Sequence, residues 1–308
     1  MKFNSSPGTK IENGILAECD GRIEQNSRDI NYNELGTTFN SVLFSLTNLI
    51  NLIHEKEIPL ENWMKPAEVL LLKLCLHSSS IKQSVSPVPI IKDKKQNIIT
   101  VQDISSTYVL SRAQIECYLT LHYFIFSPES IAEGEFKQLL YKLSGLCNRQ
   151  NYLCTLPESL DQKDEEANSI IVLRQAIENN SWYQNLSPDI QKKVKKANPP
   201  ARLLGWEDVI KSCRINEKLL ISPWKLYSNH AHSEFIGTLQ LQDYLLDSKE
   251  ARKTIYHTLE FNLMILCVTI IEVLNLFPSL ISDYEASTKV KDRAYIHLWS
   301  KVAFNKQV

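Results

Sequence analysis

The chain has 308 residues, 44% hydrophobic and 22% charged, the composition of one large or two smaller folded domains with a real core. Its net charge of −1 excludes a global field that would pull the molecule onto nucleic acid or membrane, so any such binding has to come from a local patch. Only 8 glycines occur, against a usual share of ~7%, which speaks against glycine-rich phosphate loops and many-turned β architectures.

Residues 1–30 are polar, lack hydrophobic periodicity and read as a flexible N-terminal arm. MKFNSSPGTKIENG has no apolar stretch of the secretory kind. From Tyr32 the pattern turns helical: Leu35, Phe39, Val42, Leu46, Leu49 and Ile53 recur at spacings of three and four. A second helix is predicted from about Pro66, where proline suits a first turn, to about Ser84. IIKDKKQNIITV then reads as two β-prone runs around a polar turn, a small hairpin near 88–101, or equally as an irregular loop. Residues 31–103 are thus an N-terminal helical region, followed by a helical core over 104–280 and a C-terminal helix and tail over 281–308.

The core opens with the clearest helix, Ile104 to Phe126, whose Ile104, Tyr108, Ile115, Leu119, His122 and Phe126 share one stripe. SPES offers serine caps to the next helix, which runs to about Leu153. DQKDEEANSIIVLRQAIENN carries its acidic residues early, as the helix dipole favours. A short basic helix spans about Pro188 to Ala197, ended by two adjacent prolines. Further helices cover Trp206 to Cys213 and Asn216 to Phe235, the latter expected to break or kink at Pro223. A long helix covers Ser248 to Leu276. Its uninterrupted apolar run is only Leu263 to Ile271, short of the roughly 20 residues a membrane span needs, so it is expected at the centre of a bundle. Thr288 to Phe304 closes the chain as an amphipathic helix. The class is all-α, a multi-helix bundle.

Seven cysteines form no C-x-x-C pair and read as reduced thiols of a cytoplasmic protein. P-loop, dinucleotide-binding, H-E-x-x-H and G-x-S-x-G patterns are absent, and no cofactor or metal is expected.

Chemistry concentrates in KLYSNHAHSEF, Lys225 to Phe235. On a helix, Ser228 and His232 share a face with Ala231 and Phe235, and these neighbours suggest that the face points inward. Ser228 can then partner the His232 ring. His232 is either a satisfied core histidine or a group that moves protons or contacts phosphate. His230 lies roughly 200° round the helix, so the two histidines cannot share a metal; with Glu234 at i+4 it reads as a solvated pair. On the apolar helix before it, Arg112 and Glu116 are one turn apart. They either fix helix register as an internal ion pair or present a guanidinium to a phosphate or carboxylate. A third feature, QKKVKKANPPAR, gathers Lys192, Lys193, Lys195, Lys196 and Arg202 into a cluster that reads as a solvated helix or as an RNA-backbone contact. Trp182, Tyr183 and Trp206 flank it and could stack on bases.

An apolar helix with R-x-x-x-E, then a helix with Y-S-x-x-x-H-S, then a long apolar helix resembles a HEPN-like family of bacterial helical proteins. The resemblance covers about Ile104 to Phe277 and rests on Arg112, Glu116, Tyr227, Ser228, His232 and Ser233. It implies a helical bundle, often a homodimer, in antiviral defence or stress systems, with RNA, a nucleotide or a protein encoded in the same operon as partner. Active members are metal-independent ribonucleases with R-x(4–6)-H. Here Lys225, Leu226 and Tyr227 stand where that arginine would be, so Arg112 would have to supply it in space. The resemblance then implies that His232 transfers protons or contacts phosphate, Arg112 stabilises charge, Glu116 orients Arg112, and Ser228 and Tyr227 orient His232. Without catalysis, the same bundle is a binding module.

Overall fold

The computed structural model describes residues 32–92, 98–153, 156–244 and 249–304. The N-terminal arm expected over 1–30 lies outside them, as do Cys19 and Cys154. The all-α expectation holds: α-helices dominate, with one small antiparallel hairpin. In chain order the helices are α1 (Tyr32–Glu55), α2 (Ala67–Ser84), α3 (Ile104–Leu121), α4 (Ile131–Gln150), α5 (Pro157–Asn179), α6 (Ser181–Gln184), α7 (Pro188–Val194), α8 (Trp206–Ser212), α9 (Glu217–Ala231), α10 (Phe235–Tyr244), α11 (Lys249–Leu276), α12 (Ile281–Ser287) and α13 (Val290–Ala303). A π-turn, His122–Phe126, prolongs α3. The hairpin pairs β1 (Val88–Lys92) with β2 (Ile98–Val101) in the register Val88 to Val101, with an irregularity between Pro89 and Ile91.

Contacts divide the chain into two units. The first holds the described residues up to Ile58, Glu68–Leu119 and those from Cys213 onward. The second holds Pro59–Ala67 and Thr120–Ser212.

In the first unit, Leu35, Phe39, Val42, Leu46, Leu49 and Ile53 of α1 are all buried, as their spacing predicts. Burying each such side chain contributes roughly 1.5–3 kcal/mol. The helix α11 packs on α1 and α13, and everything from Leu263 to Ile270 is buried. By length and composition α11 could cross a membrane, but 72% of its most apolar window is buried inside the protein. Polar side chains fix the register of three helices at the centre. Gln114 of α3 donates to the Ser78 hydroxyl of α2 at 2.7 Å, and Asn262 of α11 donates to the Ser111 hydroxyl of α3 at 2.9 Å.

In the second unit, α4 presents Phe136, Leu140, Leu143 and Cys147 at helical spacing to Ile177, Tyr183 and Val194. Ser130 caps α4 by accepting from the Glu133 amide at 3.2 Å, the role expected of SPES. Gly134, one turn in, is required by a neighbour: a Cβ there would sit 2.4 Å from the ring of buried Trp63. Gly134→Ala is therefore expected to destabilise the protein by about 1–2 kcal/mol, overpacking outweighing the gain in helix propensity; a urea titration against the parent checks it.

Candidate functional site

The site begins where α9 ends. Pro223 does not end it; the helix runs through to Ala231. His232 is the C-cap, and Ser233 turns left-handed at φ 53°. The Ser233 amide donates to the His230 carbonyl at 3.3 Å and the Glu234 amide to the Asn229 carbonyl at 2.9 Å. These bonds satisfy the last carbonyls of α9 in a Schellman arrangement, with serine where glycine is favoured. Ser233→Gly is expected to raise stability by about 1 kcal/mol by relieving the left-handed backbone, read as a higher urea midpoint at unchanged slope.

This turn overturns part of the sequence reading. Because the helix stops at Ala231, helical spacing no longer relates Ser228 and His230 to the residues beyond it. His232 is exposed rather than inward-facing, and Phe235, now the first residue of α10, is 77% exposed. His230, expected to be solvated beside Glu234, is instead buried. Its ring meets the edge of Tyr108, with its nitrogens 3.0 Å from the Gln240 amide oxygen on α10 and 3.4 Å from the Ser105 hydroxyl. The approach of α10 depends on Gly237, where a Cβ would lie 2.8 Å from the Asn229 carbonyl oxygen.

Two expected orienting roles also fail. The Ser228 hydroxyl donates to the Trp224 carbonyl at 2.8 Å, and Ser228 reaches His232 only through its own carbonyl, which accepts from the His232 amide at 3.1 Å. Tyr227 is buried, its ring 4.6 Å from that of Tyr108 at a tilt of 32° and edge-on to Phe261. Burial pushes the Tyr227 phenol well above its ordinary range, and that of Tyr108 up to about 12. Both phenols stay protonated near neutral pH and belong to the core.

Arg112 and His232, 120 residues apart, do meet. Arg112 Nη1 lies 3.0 Å from His232 Nε2. Arginine can only donate, so Nε2 accepts and the ring is the neutral tautomer with its hydrogen on Nδ1. On its other edge, Arg112 Nε donates to Glu116 Oε1 at 3.0 Å. The same oxygen accepts from the Trp224 indole at 3.2 Å, and the guanidinium lies 5.8 Å from the Trp224 ring centre. Trp224 is not singled out by the sequence. Its signal there is weak: an indole one turn before Ser228, on the helix that carries the histidines.

Arg112 and Glu116 are only 18% and 28% exposed, so the guanidinium is held from below and behind while the imidazole beside it is open to solvent. Arg112 Nη2 and His232 Nδ1 have no hydrogen-bond partner among the described residues. The cluster therefore offers two N–H donors to an acceptor. Among the described residues, no group of three or more His, Cys, Asp or Glu side chains could hold a metal ion.

The basic cluster lies in the second unit. Lys192, Lys193, Lys195 and Lys196 are exposed at the end of α7, with Lys195 3.8 Å from Glu178. Arg202 stacks on Trp206 at 3.5 Å. Tyr183 is buried against Phe136 and so is not presented for stacking on bases, while Trp182 packs on Phe136 and is half-buried.

Comparison of the chain with family models, curated proteins and solved structures found no match.

Proposed function

We propose that this chain is a HEPN-like helical protein of a bacterial defence or stress system, acting as a binding module for a phosphate-bearing ligand, RNA or a nucleotide, at Arg112 and His232. One observation carries the reading: an anchored guanidinium touches a solvent-open neutral imidazole, and both keep an N–H to donate. Glu116 and Trp224 hold the guanidinium so that little ordering entropy is lost when an anion arrives. The lysines of α7, in the second unit, offer a separate, sequence-independent phosphate contact of the kind that makes affinity fall with salt. A cytoplasmic location follows from reading the cysteines as reduced thiols, while a homodimer and a protein partner from the same operon come with the resemblance.

The 3.0 Å contact favours a second reading, a metal-independent ribonuclease. For that, Arg112 would swing from His232 Nε2 to the phosphate, and the freed Nε2 would take the proton of a ribose 2′-hydroxyl as that oxygen attacks phosphorus. Arg112 would stabilise the charge on the phosphoryl oxygens as the O2′–P bond forms and the P–O5′ bond breaks, and the 5′-oxygen would leave with the proton that the His232 imidazolium gives up.

One experiment tests both. Purified protein is mixed with total RNA in EDTA, beside a His232→Ala variant, and both binding and chain length are followed. Retention of RNA without cleavage, weakened in the variant, is the result expected of a binding module. Cleavage that disappears in the variant moves the assignment to the ribonuclease. Neither binding nor cleavage, with several RNAs and free nucleotides, overturns both.

A further inference from the structure

The second unit contains a cleft of about 990 Å³ between α4 and α5, lined by none of the residues around Arg112 and His232 and none of the lysines of α7. That volume is at the upper end of what small-molecule sites occupy. Tyr141, Val172 and Leu173 supply its apolar part. Its charges are all of one sign: Lys142 and Arg149 line it, and no carboxylate does. The Lys142 ammonium has no ion-pair or hydrogen-bond partner among the described residues. Arg149 is fixed by Glu166, which takes its Nε at 2.8 Å and its Nη2, leaving Nη1 without a partner among the described residues.

Two further observations point to a ligand rather than to a bare groove. Gln138 lines the cleft and is only 6% exposed, yet its side-chain amide has no hydrogen-bond partner among the described residues. Its amide atoms are not sealed from solvent, so they stand open at the cleft wall as a donor and an acceptor for whatever enters. Gly145 also lines the cleft, and a Cβ built there would meet nothing within 4 Å. In mid-helix, glycine loses stability relative to alanine, and no backbone requirement offsets it here, since no described glycine has positive φ. What its missing side chain provides is room.

We propose that this cleft binds a small amphipathic organic anion: an apolar body against Tyr141, Val172 and Leu173 over Gly145, its anionic head between Lys142 and Arg149, and a polar atom paired with the Gln138 amide. The charge complementarity selects an anion over a neutral ligand of the same shape, and the volume of about 990 Å³ suits a small molecule.

The test uses the full chain and the fluorescence of 8-anilinonaphthalene-1-sulfonate, competed by 2-naphthoate or by neutral 2-naphthalenemethanol. The probe is expected to bind, and naphthoate to displace it at a concentration about ten-fold or more below the alcohol, as a charge-assisted contact implies. Lys142→Gln should shrink that preference to about two-fold. Gly145→Leu, which adds helix propensity and fills open space, should fold as well as the parent by circular dichroism and lose the probe. Absence of probe binding overturns the proposal, as does equal displacement by acid and alcohol. So does a folded Gly145→Leu variant that keeps the probe. If that variant keeps the probe but changes elution in size-exclusion chromatography, the cleft is a protein interface instead.

Discussion

Arg112→Ala is expected to weaken binding of a single-stranded RNA by about ten- to a hundred-fold at fixed salt, the loss of one or two charge-assisted hydrogen bonds. Its cost to stability should be only about 1 kcal/mol. The pair it breaks is partly solvated, and Glu116, left behind, keeps the Trp224 indole as a donor. His232→Ala removes an exposed side chain and should change stability by less than about 0.5 kcal/mol while weakening binding by a similar factor. Arg112→Lys should preserve the fold and not the binding, because one ammonium cannot reach Glu116 and His232 from opposite edges as the guanidinium does. Thermal melts alongside fluorescence anisotropy separate the two quantities. Had Arg112 served only helix register, stability would fall by several kcal/mol and binding would fall with it.

Gly237→Val should damage both fold and site. The new Cβ would press against the Asn229 carbonyl oxygen, its carbon and the His230 Cα, all backbone atoms that cannot rotate aside. To relieve the contact, α10 must move off the end of α9. His230 would then lose Gln240 as the partner of a buried ring nitrogen. The Glu234 amide, which caps the Asn229 carbonyl, would be displaced in the same movement, and with it the turn that holds His232. A loss of about 2–4 kcal/mol is expected, the sum of overpacking and an unpaired buried imidazole. Urea unfolding measures it. Because the turn is shared, Gly237→Val should also weaken RNA binding, which Gly134→Ala in the other unit should not do under conditions where it stays folded.

Helices with a strong apolar period were legible. The stripe from Leu35 to Ile53 is dictated by side-chain spacing alone, and so is the burial of Leu263 to Ile270. The convergence of Arg112 and His232 was suggested only by the resemblance, whose arginine is missing before His232; no local pattern brings together two side chains 120 residues apart. What failed turned on one residue. Nothing about Ser233 announces a left-handed backbone, where glycine would have marked the end of α9. Helical spacing carried past that point places His230 outside and His232 inside, the reverse of what the structure has. The same extrapolation misassigns Tyr227 and Ser228. Trp224 escapes notice because an indole partner to Glu116 is 108 residues away in the chain and obeys no local pattern. Gly134 and Gly237 look like ordinary helix glycines until the ring or carbonyl they touch is known.

The most direct measurement is a double-mutant cycle on RNA affinity in EDTA at one salt concentration, with Arg112→Ala, His232→Ala and the double variant. Two groups bonded to each other at one phosphate should couple. Each single change is predicted to weaken binding by about ten-fold or more, and the double variant by no more than about three-fold beyond the worse single one, a coupling of roughly 1 kcal/mol. Effects that multiply as independent factors, or single variants that bind RNA as the parent does, would contradict a shared site.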